Sequence, residues 1–181
     1  MTKSKSSKNN SLKSIPLAVR TGKAFSFIEK DVRLPNGHRG TYLCIDHRGA
    51  VAVIPLISKN KVVLIRQFRI ALEKYIWEIP AGTLDINENP VDCAKRELIE
   101  EIGYETRKLK KLGFIYPAVG YSNEKLFMFA AYDLKKTVKA SEADEIIMPK
   151  IFTKPQVIKM IKDGKIVDSK TISAFALIGW I

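Results

Sequence analysis

Three glutamates, Glu97, Glu100 and Glu101, lie within five residues of one predicted helix. Residues three and four positions apart on a helix share a face, so the three carboxylates project within a sector roughly 100° wide. Carboxylates held this close repel one another unless a cation neutralises them. Oxygen ligands of this kind bind Mg²⁺, Mn²⁺ or Ca²⁺ in preference to zinc. The spacing therefore predicts a divalent-cation site on one face of the helix.

The rest of this segment predicts the helix that carries the glutamates. Asn89 can cap its start, Pro90 suits its first position and Gly103 suits its C-terminal stop. Arg96 lies four residues before Glu100 and can hold that carboxylate in place. Apolar residues recur at helical spacing and form a stripe for burial: Val91, Ala94, Leu98 and Ile102. The helix is thus expected to have a buried side and a metal side.

The composition is that of a globular protein. The chain has 181 residues, of which 46% are hydrophobic and 28% charged, enough for one domain with a sizeable core. No apolar run approaches the roughly 20 residues of a membrane span, and the N-terminus lacks the apolar core of a signal peptide. Since Cys44 and Cys93 are the only cysteines, no disulfide framework is indicated, and a cytoplasmic location is expected.

The chain is basic, with a net charge of +12. Part of this charge lies in residues 1–14, which are rich in Ser, Lys and Asn and are predicted to be disordered. A positive balance attracts anionic substrates. It does not by itself indicate nucleic-acid binding, because the sequence contains no RNA-recognition signature and no basic helix with base-reading side chains.

Short apolar runs predict strands on both sides of the glutamate helix. The strands are expected at residues 24–32, 41–46, 51–56, 62–67, 77–79, 112–116, 126–132 and 146–152. Two closing helices are expected at 155–162 and 168–180, the second capped by Asp168 or Ser169. Mixed strands with a helix inserted between them indicate α+β or α/β layers.

The whole stretch from Gly82 to Tyr104 resembles the Nudix box, G-x5-E-x7-R-E-U-x-E-E-x-G-U, in which U is a bulky apolar residue. The matching residues are Gly82, Glu88, Arg96, Glu97, Leu98, Glu100, Glu101, Gly103 and Tyr104. Tyr104 departs from the usual aliphatic residue. The resemblance implies the Nudix fold, an α/β/α sandwich of the α+β class with a mixed central sheet and N-terminal antiparallel strands. It also implies metal-dependent hydrolysis of a nucleoside diphosphate linked to another group.

The resemblance extends over most of the chain, to the branch of ADP-ribose pyrophosphatases and nucleoside-diphosphate-sugar hydrolases. A Pro-Ala pair precedes the box glycine in this branch, as at residues 80–82, and Arg69 lies in its Q-[FY]-R motif. One loop departs from the pattern. ADP-ribose enzymes typically carry Ser-Pro-Gly after the box, whereas the proline position here is Val119, although Gly120 and Glu124 match. This departure leaves another sugar nucleotide open as the substrate.

The resemblance also implies roles within the box. The expected cofactor is Mg²⁺, for which Mn²⁺ can substitute, and its implied ligands are the backbone carbonyl of Ala81 and the side chains of Glu97, Glu100 and Glu101. Arg96 is expected to assist catalysis by holding Glu100. Three further residues, Gly82, Glu88 and Gly103, are expected to shape the box, and Glu88 is expected to fix the loop instead of binding the metal.

Outside the box, the base that activates water in this branch comes from a late loop. Glu142 is the first candidate for that base and Glu145 the second. Arg69 is expected to pair with substrate phosphate, because a guanidinium binds phosphate well. The other candidate substrate contacts are Trp77 and Phe27, either of which can stack on the base or belong to the core, and Glu124.

The implied organisation is a disordered basic tail at residues 1–14, N-terminal strands at 15–50 and a Nudix hydrolase domain at 51–181. Members of the branch form dimers in which the N-terminal strands reach across to the partner, so a homodimer acting on a small nucleotide sugar is expected. Two alternatives stay open. The first is a Nudix hydrolase of dinucleoside polyphosphates or capped RNA, which only the basic tail supports. The second is a non-catalytic sugar-nucleotide binder, which predicts a broken metal box, whereas this box is intact.

Overall fold

The computed structural model describes residues 24–138 and 146–181. Its strands are β1 (Phe25–Arg33), β2 (Arg39–His47), β3 (Ala50–Ser58), β4 (Lys61–Arg69), β5 (Lys74–Glu78), β6 (Ala81–Thr83), β7 (Tyr104–Glu105), β8 (Lys108–Ile115), β9 (Leu126–Tyr132), β10 (Lys135–Lys136) and β11 (Ile147–Thr153). Its helices are α1 (Pro90–Ile102), α2 (Lys154–Lys162) and α3 (Ser169–Leu177), with a short 3₁₀ turn at Ile70–Leu72.

A mixed seven-stranded sheet forms the centre of the fold. Its main path runs β11-β4-β3-β9-β8, while β5 pairs with β4 and β6 pairs with β3. Only β3 and β9 run parallel within this sheet; the other pairs are antiparallel. Residues 50–56 of β3 are all buried, which explains why this strand reads as a continuous apolar run instead of an alternating one.

Helices cover both faces of the sheet. On one face, α1 packs Leu98 and Ile102 against a cluster that includes Val51 and Val53 of β3. On the other face, Phe175 of α3 and residues of α2 pack against the alternate residues of the same strands. The predicted α+β class and the α/β/α sandwich are therefore confirmed, and α1 is positioned by a core that it shares with the central strands.

The ends of the helices follow the local sequence. Asn89 caps α1 by accepting a hydrogen bond from the backbone of Val91, and Gly103 ends the helix with a left-handed φ of 67°. Asp168 caps α3. This helix ends at Leu177, before the predicted end at residue 180, because Gly179 adopts a left-handed φ of 71° and cannot continue it. Strand β8 begins at Lys108, earlier than predicted.

Strands β1 and β2 form a hairpin that stands apart from the central sheet. None of the residues in these two strands is buried. The hairpin is held to the loop after β8 by backbone bonds, Ile45 N to Tyr121 O at 2.7 Å and Asn123 N to Ile45 O at 3.3 Å. The Asn123 side chain adds bonds to the His47 backbone at 2.8 Å and to Asp46 at 2.6 Å. Loop and hairpin therefore depend on each other for position.

Among the helices of the described residues, none combines the length and the apolar character needed to cross a membrane.

Candidate active site

A cleft of about 540 Å³ opens beside α1 and β6. Its walls combine carboxylates, which attract cations, with guanidinium groups, which attract phosphate and other anions. The charged walls are Glu97, Glu100, Arg48, Arg69 and Arg96, with the backbone of Ala81 beside them. The arrangement can therefore bind a cation and an anion next to each other.

Two of the three box glutamates are buried against the sheet. Glu97 is 7% exposed and Glu101 is 1% exposed. Glu101 accepts a hydrogen bond from the backbone N–H of Ala81 at 3.1 Å. This bond joins the first residue of β6 to the last turn of α1. It places Ala81, whose backbone carbonyl is an expected metal ligand, beside the carboxylates of α1. A buried carboxylate needs such partners, because burial without them disfavours its charged form.

Gly82 allows Glu97 to approach the strand. A Cβ atom at this position would lie 1.7 Å from Glu97 Oε1 and 2.0 Å from Glu97 Cδ. No side chain fits in that space, because it would overlap the Glu97 carboxylate, which Arg96 holds by a hydrogen bond. The box glycine is thus required for close approach of α1 to β6.

Arg96 binds the polar groups around it with almost every donor that it has. Its Nη1 donates to Glu97 Oε1 at 2.7 Å and to Glu100 Oε2 at 2.8 Å. Its Nε and Nη2 donate to the two oxygens of Glu88 at 2.9 and 3.0 Å, and Nη2 also reaches Thr83 O at 3.2 Å. The sequence predicted only the bond to Glu100. In the structure, Arg96 also binds Glu88, Glu97 and the backbone of Thr83.

Glu88 fixes the loop between β6 and α1. Besides both bonds to Arg96, its Oε2 accepts from the backbone of Asp85 at 2.9 Å. The hydrogen bonds from Arg96 lower the pKa of the Glu88 carboxyl from its ordinary value of 4.5 to about 2, because they favour the charged form. That Glu88 fixes the loop instead of binding the metal stays a prediction.

The donor set fits a hard divalent cation. Three carboxylates, those of Glu88, Glu97 and Glu100, pair with the guanidinium of Arg96, and Glu101 binds the backbone of Ala81. Carboxylate oxygens suit Mg²⁺ or Mn²⁺. In the described part of the chain, no three such side chains converge on one point as a complete ligand set. In this conformation Arg96 binds both Glu97 and Glu100.

Of the other predicted substrate contacts, all among the residues that the structure describes, one lies at the cleft and the others do not. Arg69 lines the cleft, as noted, and binds Glu78. Trp77 packs edge-to-face on Phe152, with ring centroids 4.9 Å apart, in the cluster on the sheet face opposite α1. Of the two readings of Trp77, its packing favours the core. Phe27 is half-buried in β1.

Neither Phe27 nor Glu124 lines the cleft among the described residues; Glu124 lies in the loop that follows β8, where its backbone donates to Ser122. Glu142 and Glu145, the candidate bases, lie outside the described residues, as does the basic tail at 1–14. Their roles stay predictions.

Three residues of the site region were not identified from the sequence. Arg48 follows β2 and lines the cleft. Glu78 is fully buried at the end of β5, and Lys170 of α3 binds it. A single acid within the apolar run around Glu78 was an available signal, because a buried charge needs a partner. Nothing local indicated that this partner lies some ninety positions further along the chain.

Comparison with known proteins gives the family. The sequence pattern of the NUDIX domain matches residues 46–175. An ADP-ribose pyrophosphatase of Bacillus subtilis is 35% identical over 158 residues, 86% of this chain and 85% of the relative. A methanol dehydrogenase activator of Bacillus methanolicus is 37% identical over the same shares of the two chains. A GDP-mannose pyrophosphatase of Yersinia pestis is 36% identical over 136 residues, 69% of this chain and 68% of the relative.

A crystal structure of an ADP compounds hydrolase superposes with a TM-score of 0.76 at 24% sequence identity, covering 88% of this chain and 87% of that one. At this identity the likeness supports the fold.

Gly82→Ala is expected to weaken Mn²⁺ binding by about tenfold or more, because the added methyl group overlaps the Glu97 carboxylate and displaces it. Titration with Mn²⁺ followed by electron paramagnetic resonance measures the affinity. Gly120→Ala is the matched control, since a Cβ atom there meets nothing within 4 Å. Unchanged Mn²⁺ affinity in Gly82→Ala would contradict the role of this contact.

The Glu88–Arg96 pair is expected to make stability depend on pH in acid. Because the pKa of Glu88 is lowered in the folded protein to about 2, its contribution is complete above its ordinary value and is lost as the pH falls toward 2. The difference in free energy of unfolding between wild type and Glu88→Gln should therefore shrink over that window. Urea unfolding in EDTA measures it. The exposed Glu105→Gln is the control, and a difference that stays constant with pH would refute the prediction.

Proposed function

This chain belongs to the NUDIX domain family and is a pyrophosphate-hydrolysing enzyme, and we propose that its substrate is ADP-ribose or a related nucleoside diphosphate sugar. The products are then a nucleoside monophosphate and a sugar phosphate. One observation carries the proposal: a single cleft joins the box carboxylates to the guanidinium groups of Arg48 and Arg69. A diphosphate that arrives with a divalent cation matches both sets of charges.

The box residues provide the metal site in this proposal. Glu97, Glu100, Glu101 and the carbonyl of Ala81 would hold Mg²⁺ or Mn²⁺. When bound, the ion neutralises the diphosphate oxygens and supplies Lewis-acid stabilisation of the charge that develops at phosphorus. Arg96 keeps the carboxylates on one side of the cleft and balances part of their charge. Arg69 and Arg48, which line the same cleft, would orient the diphosphate.

The base that accepts the proton of the attacking water is proposed to be Glu142, with Glu145 as the second candidate. The proposal is supported by the point at which the described chain resumes, just before β11. Ile147, at the start of that strand, pairs with Gln67 of β4. Gln67 lies two residues before Arg69, so the chain rejoins the sheet near the cleft. A carboxylate supplied from this side can act on water while the box glutamates hold the cation.

The loop after β8 and the relatives of the chain bear on which sugar nucleotide is the substrate. Val119 replaces the proline that ADP-ribose enzymes typically carry and is 77% exposed. The Bacillus subtilis relative is an ADP-ribose pyrophosphatase and the Yersinia pestis relative a GDP-mannose pyrophosphatase. ADP-ribose is therefore the first substrate proposed and another sugar nucleotide the second. The cytoplasmic location stays a prediction from the cysteine content.

A homodimer is proposed because the β1–β2 hairpin lacks a packed face within the described residues. A two-stranded hairpin alone is marginally stable in water. Its exposed apolar side chains include Phe25, Val32, Tyr42 and Leu43. A second copy of the chain can bury this surface, which accords with the dimers formed in the branch that the sequence resembles.

Leu43→Glu is expected to convert a dimer into monomers, because it places a charge in the surface proposed to be buried. Sedimentation velocity compares the mass with the 20.4 kDa of one chain. Val138→Glu, at a position exposed after β10, provides the same change outside the hairpin. A wild-type protein that sediments as a monomer would exclude the dimer.

Turnover of a substrate panel tests the function. With Mg²⁺ present, ADP-ribose is expected to give AMP and ribose 5-phosphate faster than ADP-glucose, UDP-glucose, GDP-mannose, NADH or a diadenosine polyphosphate react. Glu101→Gln should lower kcat by at least about a hundredfold, because it removes a charge that stabilises the transition state through the metal. Glu105→Gln, at an exposed position on β7, should leave kcat unchanged.

The same assay separates the alternatives. Preference for another sugar nucleotide would keep the mechanism and change the substrate, whereas preference for the diadenosine polyphosphate would support the first alternative. Absence of turnover with every compound would refute the proposed substrate class, and a tight ligand complex without turnover would support a non-catalytic binder. Glu142→Gln and Glu145→Gln assign the base, because only the variant that lacks it loses kcat while its KM stays near that of the wild type.

A further inference from the structure

A group of charged residues around the buried Glu78 joins β4, β5 and α3 next to the cleft. Glu78, which is 0% exposed, accepts two bonds from Arg69, from Nε and from Nη2, each at 2.7 Å. The same carboxylate binds Lys170 Nζ. Lys170 also contacts Asp168 Oδ1 at 3.1 Å. We call Arg69, Glu78, Asp168 and Lys170 the Glu78 cluster.

Backbone bonds fasten the Glu78 cluster to the strand that leads into the metal box. Asp168 Oδ2 accepts from Thr171 N at 3.0 Å and from Thr171 Oγ1 at 2.6 Å. Thr171 Oγ1 accepts in turn from the backbone N–H of Ile79 at 3.0 Å. Ile79 directly follows Glu78 and lies two residues before Ala81. The first turn of α3 therefore helps to set the position of both cleft walls.

If stability were its only role, the Glu78 cluster would have no advantage over apolar side chains of similar volume. Its two positive and two negative charges balance, but removing charged groups from water costs hydration energy, and apolar side chains often stabilise a fold equally well. Burial raises the pKa of the Glu78 carboxyl, yet the hydrogen bond from Arg69 and the charge of Lys170 outweigh this and lower it. Glu78 is therefore ionised and able to hold both cations.

Arg69 is the member of the Glu78 cluster that reaches the cleft. Its side chain is 39% exposed, whereas that of Glu78 is fully buried. A guanidinium has five N–H donors in a fixed fork. The bonds to Glu78 use Nε and one N–H of Nη2, which leaves three donors for another partner. With one edge of the fork fixed to Glu78, the other edge has a defined direction.

We propose that Glu78 is a positioning residue, which holds the Arg69 guanidinium in the orientation that binds the phosphate groups of the substrate. Lys170 is the charge partner that keeps Glu78 in place. This inference deepens the proposed function by adding residues of β5 and α3 to its substrate site. The bidentate bond removes rotational freedom from Arg69 before the anion arrives, so less entropy is lost on binding.

Lys170 has a second role in this arrangement. When Arg69 shares its charge with a phosphate group, Glu78 loses part of its electrostatic compensation. Lys170 remains beside the same carboxylate, so Glu78 stays balanced and does not pull Arg69 away from the anion. The Lys170 side chain is 14% exposed and is not among the described residues that line the cleft, so it acts through Glu78.

Binding of ADP in EDTA tests the inference without turnover. NMR titration of the full-length protein gives the dissociation constant for wild type, Glu78→Gln, Arg69→Ala and the double variant. We expect Glu78→Gln and Arg69→Ala each to weaken binding by about tenfold, and the double variant to bind no more weakly than Arg69→Ala. A residue with only a structural role would weaken binding by the same factor in both backgrounds, which would overturn the proposal.

Two lysine variants keep the test decisive if Glu78→Gln fails to fold. Lys170→Met retains the aliphatic stem and removes the charge, and is expected to weaken ADP binding by about threefold in the wild-type background but not with Arg69→Ala. Lys159→Met is the matched control, because Lys159 pairs with Asp163 on the surface of α2. Equal effects of the two lysine variants would overturn the proposal, as would a wild-type protein that does not bind ADP.

The result is independent of the substrate panel. Coupled effects on ADP binding with no turnover of any sugar nucleotide would leave the role of Glu78 intact and refute the proposed function. Turnover of ADP-ribose with additive effects on ADP binding would support the proposed function and refute the role of Glu78.

Discussion

The burial of carboxylates between α1 and β6 is the constraint on which the rest of the site depends. Glu97 and Glu101 are almost inaccessible to solvent, and a charged oxygen in such a position needs hydrogen bonds and opposite charge. The backbone of Ala81 supplies one of these bonds and Arg96 supplies others. Gly82 makes the approach possible, because any side chain there would overlap Glu97. Remaining negative charge suits a divalent cation.

The scaffold satisfies this constraint from two directions. From one side, the apolar stripe of α1 packs on the central strands and sets the depth at which its glutamates lie. From the other side, the first turn of α3 binds Ile79 and, through Lys170, the carboxylate of Glu78. The segment between Glu78 and Gly82 is thus held at both ends. Arg69 ends β4 of this sheet, whereas Glu97 and Glu100 lie on α1, which packs against the same sheet.

Charged residues form two groups on the walls of one cleft. Around Arg96 the acids are in excess, whereas in the Glu78 cluster positive and negative charges are equal and one guanidinium extends into the cleft. The first group therefore favours a cation and the second presents a donor to an anion. A substrate that brings a diphosphate together with a metal ion matches this pattern, which links the electrostatics of the fold to the chemistry of its family.

The sequence by itself determined the features of the metal box that depend on neighbours along the chain. The bounds of α1, its capping by Asn89 and its stop at Gly103 follow from local backbone preferences. The clustering of the box glutamates follows from helical periodicity. Tertiary structure decided what depends on contacts between distant segments: the four-way role of Arg96, the placing of Trp77 in the core, and the bond between Glu78 and Lys170. A partner ninety-two positions away leaves no periodic trace, because only the packing of α3 against the sheet brings the two charges together.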